Sequence, residues 1–159
     1  MIADFEFDAI DLRILKALQR DSRLTNVALA EEAGISPSPC LRRVRRLEEE
    51  GVIDRYVTVL SAENVGLNIL AFVSIRINDH GRAKSQEFLT KVQAIPEVLA
   101  CYVLTGATDF IAQVISPNLK TYSELMMKIG DIEGVRDLQS SIVIETCKTM
   151  GPLPLDHLA

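Results

Sequence analysis

Three observations predict an α+β fold in two parts for this chain of 159 residues. Three short amphipathic helical patterns fill roughly its first third, and the last of them carries four arginines within positions 42–46. Over the remainder, helical periodicity and apolar alternation follow one another in the order strand, helix, strand, strand, helix, strand. Between the two parts, "SAENVGLN" punctuates the sequence with turn-forming residues. A chain of this length can bury about two-thirds of its surface. Its 48% hydrophobic content, with only 6 Pro and 8 Gly, argues for a packed protein rather than a disordered one. No internal repeat or low-complexity tract is present.

The first helix is read from "DAIDLRILKALQRD". Ile10, Ile14, Ala17 and Leu18 share one face with Leu15 at its edge, Asp8 stands as N-cap, and Asp11 follows three residues later. A second, two-turn helix starts near "TNVALAEEAG", capped by Thr25 or Asn26, and Gly34 supplies the positive φ that ends it. The third opens with Ser36 as N-cap and Pro37 at the first helical position, and Gly51 lies past its end. At about 100° per residue, Cys40, Leu41, Val44 and Leu47 form its buried face. Ser38, Arg42, Arg45 and Arg46 lie opposite, with Arg43 at the apolar edge.

A charged face usually just meets water. Three details favour a polyanion instead. No acid lies between Ser36 and Leu47, so the arginines repel one another without the i,i+4 partners of a solvent helix. The preceding short helix and tight "AGIS" turn have the spacing of a helix-turn-helix unit, whose second helix enters the DNA major groove amino end first. Small residues at the helix start let its N–H groups approach phosphate. The expected DNA-contacting set is Thr25, Asn26, Ser36, Pro37, Ser38, Arg42, Arg43 and Arg46, with Leu41, Val44 and Leu47 holding the helix to its domain. Net charge is −5, and neither half is basic: 9 Lys+Arg face 11 Asp+Glu up to Val57, and 8 face 11 beyond it. Attraction to DNA therefore comes from a local patch and not from the overall field.

After Gly51, "VIDRYVTVL" alternates and reads as a strand leaving the DNA unit. In the second half, residues 69–78, 98–105, 110–116 and 138–148 read as strands, with helices over 81–95 and 118–129. This is the ferredoxin-like βαββαβ order, with both helices on one sheet face because crossovers are right-handed. Leu70 and Phe72 then point from a face that no helix covers, which predicts pairing with a second copy. Two recognition helices one turn apart would suit a palindromic site.

Other chemistries find little support. The amino terminus is acidic where a secretory signal needs a basic region, and no window reaches the 18 apolar residues of a membrane span, so a cytoplasmic, nucleoid-associated protein is expected. Cys40, Cys101 and Cys147 are odd in number and far apart, and are read as reduced. His80 and His157 lack partners at metal or triad spacing, and no phosphate-binding glycine loop is present, so no metal, cofactor or enzymatic activity is assigned. Met126 and Met127 are read as core or interface filler.

The segment from Asp8 to Ile53, above all "SPSPCLRRVRRLE" followed by "GVI", resembles the DNA-binding unit of the Lrp/AsnC (feast/famine, leucine-responsive) regulators. "LTGATDF" is similar to that family's effector-loop pattern of Gly, two residues, Asp and an aromatic, with Phe110 where many members carry Tyr. The resemblance implies a winged-type helix-turn-helix domain over 1–60 with the exit strand, a linker over 61–67, and an effector-binding and oligomerisation domain over 68–159. It further implies homodimers assembling into rings such as octamers, and control of amino-acid metabolism genes by an amino-acid effector. The implied effector site is Gly106, Thr108 and Asp109, with Ser140 and Ser141 presented across a subunit contact. On residues alone, Gly106 and Asp109 are equally explained by the turn's own backbone. An effector-independent DNA-organising protein of the same fold is the alternative reading, and the sequence leaves open which amino acid acts and which arginine reads a base.

Overall fold

The computed structural model describes residues 5–78 and 82–158, which places His80 outside the described residues. The chain divides into two compact units. One holds residues up to 58 together with those from 148 onward, and the other spans 59–147.

The first unit contains α1 (Ala9–Arg20), α2 (Asn26–Ala33) and α3 (Pro37–Glu49). α1 opens with a closed capping box: the Asp8 carboxylate accepts from the N–H groups of Ile10 and Asp11, both at 2.9 Å, and the Asp8 N–H donates to Asp11 Oδ2 at 3.3 Å. Thr25 caps α2 through its hydroxyl, and Gly34 ends that helix at φ 71°, a left-handed conformation that favours glycine. Ile14, Leu15, Ala17, Leu29, Ala30, Ala33, Cys40 and Leu47 form the buried centre, with Phe5, Phe7, Val44, Ile53 and Leu155 packed around it. Leu155 comes from the far end of the chain. That tail lies along α1, where Gln19 exchanges two hydrogen bonds with the backbone of Leu153 and Lys16 pairs with Asp156 at 2.8 Å. The last residues thus pack with the first unit and not with the second, where they were expected. The exit strand expected over 52–60 forms no ladder: Tyr56, Val57, Val59 and Leu60 are exposed, since alternation supplies a strand's faces but not its neighbour.

The second unit runs β1 (Ile69–Ile77), α4 (Arg82–Gln93), β2 (Val98–Val103), β3 (Phe110–Ser116), α5 (Leu119–Gly130) and β4 (Val135–Ile142). Its sheet is wholly antiparallel in the order β2-β3-β1-β4, so each helix crosses one intervening strand instead of joining neighbours. The last strand begins at Val135 and ends at Ile142, earlier than its apolar residues suggest, because its register is set by pairing with β1. Ala71, Val73, Ile75 and Ile77 face Phe110, Ala112 and Val114 of the adjacent strand and Phe88, Val92, Tyr122, Leu125 and Ile129 of the two helices, closing one core. Both helices therefore cover the same sheet face. The phenyl rings of Phe88 and Phe110 meet at 4.6 Å, joining helix to sheet.

Truncating Phe88 to alanine is expected to cost about 3–5 kcal/mol, the transfer energy of the ring plus the cavity it leaves. Urea unfolding of the variant checks this, and a loss below about 1 kcal/mol would contradict the assignment of Phe88 to the centre of this core.

Candidate nucleic-acid interface and effector turn

The turn between α2 and α3 is fixed by side chains. The Asn26 amide donates to the Pro37 carbonyl at 2.8 Å, tying the starts of the two helices together. Arg13 Nε donates to the Ala33 carbonyl at 2.9 Å, satisfying the last turn of α2. Arg20 of α1 pairs with Glu32 of α2. Ser36 occupies the N-cap position of α3, but its side chain makes no capping bond, and Ser36, Pro37 and Ser38 are all exposed.

The arginine cluster is divided in two. Asp11 is fully buried, and its carboxylate accepts from Arg43 at 2.8 Å and from Arg46 at 2.7 Å. Arg43 also reaches Asp8 at 2.7 Å, and the Arg46 guanidinium lies 4.6 Å from the centroid of the Phe5 ring. The Asp8 carboxyl is held below its ordinary range by the Asp11 backbone N–H first and by Arg43 next. Arg42 and Arg45 are exposed, and Arg46 stays 47% exposed even with its bond to Asp11. The buried face also differs from expectation. Cys40 and Leu47 are fully buried and Val44 is half-buried, but Leu41 is 40% exposed and does not anchor the helix. Its position at the margin of the apolar arc was the only sequence signal for this. Nothing local signalled the pairing of Arg43 and Arg46, because their acid lies 32 and 35 residues away.

In the second unit, β2 and β3 are joined by a turn in which Gly106 has φ 111°. Asp109 closes it by accepting on its carbonyl from the Leu104 N–H at 2.8 Å and by donating its own N–H to the Ile75 carbonyl at 3.2 Å. Its carboxylate accepts from the Ile77 N–H at 2.9 Å, next to the point where the β1–β4 register shifts between Arg76 and Ile77. Asp109 is therefore a structural acceptor as well as a candidate ligand group. Thr108 is half-buried beside it. Ser140 and Ser141 are exposed on β4, paired with Val73 and Phe72, so adjacent residues direct their side chains to opposite sheet faces. They lie four or more residues along β1 from Ile77, roughly 13 Å at 3.3 Å per residue. One chain does not bring the serines and the Gly106–Asp109 turn into a single pocket. Cys40 and Cys101 are free thiols with raised pKa from burial, Cys147 is free and exposed, and no metal-binding cluster occurs among the described residues.

Replacing Asp11 with alanine leaves two arginines without their shared acid and opens the capping box, an expected loss of about 2–3 kcal/mol for charge-assisted hydrogen bonds. Asn at this position keeps one acceptor and should fall between wild type and alanine in chemical denaturation.

A family model for the Lrp/AsnC ligand binding domain matches residues 70–153, and a winged helix-turn-helix DNA-binding model matches residues 7–54. The leucine-responsive regulatory protein of Rhizobium meliloti is 36% identical over 150 residues, 94% of this chain and 91% of that protein. Its Escherichia coli K12 counterpart is 35% identical, over 90% of this chain and 88% of that protein. A Neisseria meningitidis transcriptional regulator in complex with L-methionine superimposes with a TM-score of 0.92 at 39% identity, covering 96% of this chain and 99% of that one. An AsnC family regulator from Agrobacterium tumefaciens gives a TM-score of 0.91 at 34% identity, covering 96% of this chain and 100% of that one. With both domains matched in their expected order and relatives similar over nearly the full length, the chain belongs to the Lrp/AsnC family of DNA-binding transcriptional regulators.

Proposed function

We propose that this regulator works as a homodimer, assembled further into a ring, that binds palindromic operators of amino-acid metabolism genes in the cytoplasm as a nucleoid-associated protein. An α-amino acid bound between subunits tunes its affinity or assembly. The observation that carries the dimer is the sheet face opposite the helices, where Phe72 is 42% and Tyr102 56% exposed beside Leu70 and Ile111. Such a face gains by meeting another of its kind. No helix is long and apolar enough to cross a membrane among the described residues.

The effector reading rests on the Gly106–Asp109 turn. An α-amino acid needs an anionic acceptor for its ammonium and N–H donors for its carboxylate, and a glycine turn ending in an aspartate supplies both kinds of group. Ser140 and Ser141, remote within one chain, enter such a site from a second subunit in this reading. The methionine bound by the similar Neisseria regulator and the leucine response of the curated relatives favour an apolar side chain. A DNA-organising protein without an effector is the second reading.

Sedimentation at micromolar concentration is expected to find a dimer or larger, with Phe72→Arg shifting the distribution toward monomer; a stable wild-type monomer would overturn the assembly. In a thermal-shift screen of the twenty amino acids, methionine or leucine should raise the midpoint with concentration, because a ligand of the folded state stabilises it by mass action. Asp109→Asn keeps an acceptor for the Ile77 N–H while removing the charge, and should abolish that rise. Equal stabilisation of both proteins would move the effector elsewhere. No response to any amino acid, with DNA binding intact, would favour the second reading.

A further inference from the structure

The outward face of α3 carries Ser38, Leu41, Arg42 and Arg45, related by three- and four-residue steps, and all four are exposed. Arg46 lies one turn from Arg42 and is 47% exposed, but it and the half-buried Arg43 are set apart by their partners. Their guanidinium groups are turned to the fully buried Asp11, with Asp8 and the Phe5 ring taking further contacts. A guanidinium held on a buried carboxylate loses that bond if it turns to a base edge, and leaves the acid buried and unpaired. Leu41 has the converse property. It is a large apolar side chain, 40% exposed, at the border between the apolar arc and the basic stripe, where water rewards it with nothing. The major groove contains one apolar group, the C5 methyl of thymine, and it lies among the acceptors that arginines read.

We infer that Leu41 packs on a thymine methyl and, with Arg42 and Arg45, forms the reading surface of this regulator, whereas Arg43 and Arg46 are positioning residues that act through Asp11. The assignment rests on the DNA-binding reading and divides its work among named side chains. Leu41 and Arg45 thereby enter the interface in addition to the expected set. Leu41 and Arg45 lie one helical turn apart, which puts the thymine beside the guanine edge or the phosphate that Arg45 contacts.

The test uses the full-length protein and the tightest duplex that it recovers from a random-sequence pool. Each thymine of a half-site is replaced in turn by deoxyuridine, which removes only the methyl group. At one position the replacement should weaken wild-type binding about 4-fold, the worth of one buried methyl, and should have no effect on Leu41→Ala. In parallel, Arg42→Ala and Arg45→Ala should each lower the slope of log affinity against log salt by about 1 per bound subunit. Arg43→Gln, which retains donors for Asp11, should keep the wild-type slope while lowering the thermal midpoint. Uracil sensitivity that persists in Leu41→Ala, or is absent from wild type at every position, overturns the role of Leu41. A slope lost as fully in Arg43→Gln as in Arg45→Ala overturns the division of the arginines. A protein that recovers no preferred duplex overturns the DNA-binding reading itself, and this assignment with it.

Discussion

The DNA-binding unit depends on one buried carboxylate. Asp11 accepts the Asp8 N–H that closes the capping box of α1, and the same group holds Arg43 and Arg46 of α3. Four arginines in five positions would otherwise destabilise their own helix by mutual repulsion. Drawing two of them onto Asp11 compensates part of that charge and ties α3 to α1. The remaining pair, Arg42 and Arg45, is left facing outward. A buried charge is weak evidence for stability, since a well-packed apolar group can do as well. What it does here is join the capping box of α1 to two side chains of α3.

The second unit is built on a different constraint, the alternation of a sheet covered on one side only. β1 sends Ala71, Val73, Ile75 and Ile77 into the core and Phe72, Ser74 and Arg76 the other way. β3 repeats the division, with Phe110, Ala112 and Val114 in the core and Ile111 and Gln113 turned the other way, so the uncovered face continues from β1 onto β3. A one-residue slip would exchange the two faces, which makes the β1–β3 register strongly determined. The β1–β4 register shifts between Arg76 and Ile77, where Asp109 takes the Ile77 N–H, and the β2–β3 register shifts between Val98 and Ala100.

What was legible in the sequence follows the range of the interactions. The capping box of Asp8 and Asp11, the Thr25 cap and the Gly34 terminus lie within a few residues of each other, and all were readable. The strand and helix order of the second unit was readable from periodicity. Three features were not. The partners of Arg43 and Arg46 lie in another helix. The segment over 52–60 has a strand's composition but no neighbour in one chain. The return of the tail to α1 rests on two hydrogen bonds of Gln19, the Lys16–Asp156 pair and the Leu155 side chain, for which no periodic pattern exists. The proposed effector residues are singled out only by the family pattern, because a glycine and an aspartate flanking a turn are ordinary turn chemistry.

Asp109 joins these two kinds of information. Its N–H and carboxylate bridge Ile75 and Ile77 of β1, replacing the ladder where β3 has not yet begun. A cationic group drawn to that carboxylate competes for the charge that also holds the Ile77 N–H on Oδ2. Ile77 sits at the shifted end of the β1–β4 pairing, and β4 carries Ser140 and Ser141 further along the same ladder. In the proposed reading, occupancy at the turn therefore changes the energy of the strand pair that presents the serines to a neighbouring subunit. A ligand moves an assembly equilibrium only by its differential affinity for the two states. A shared hydrogen-bond acceptor at the end of the central strand is a physical source for that difference, and requires no larger rearrangement of the fold.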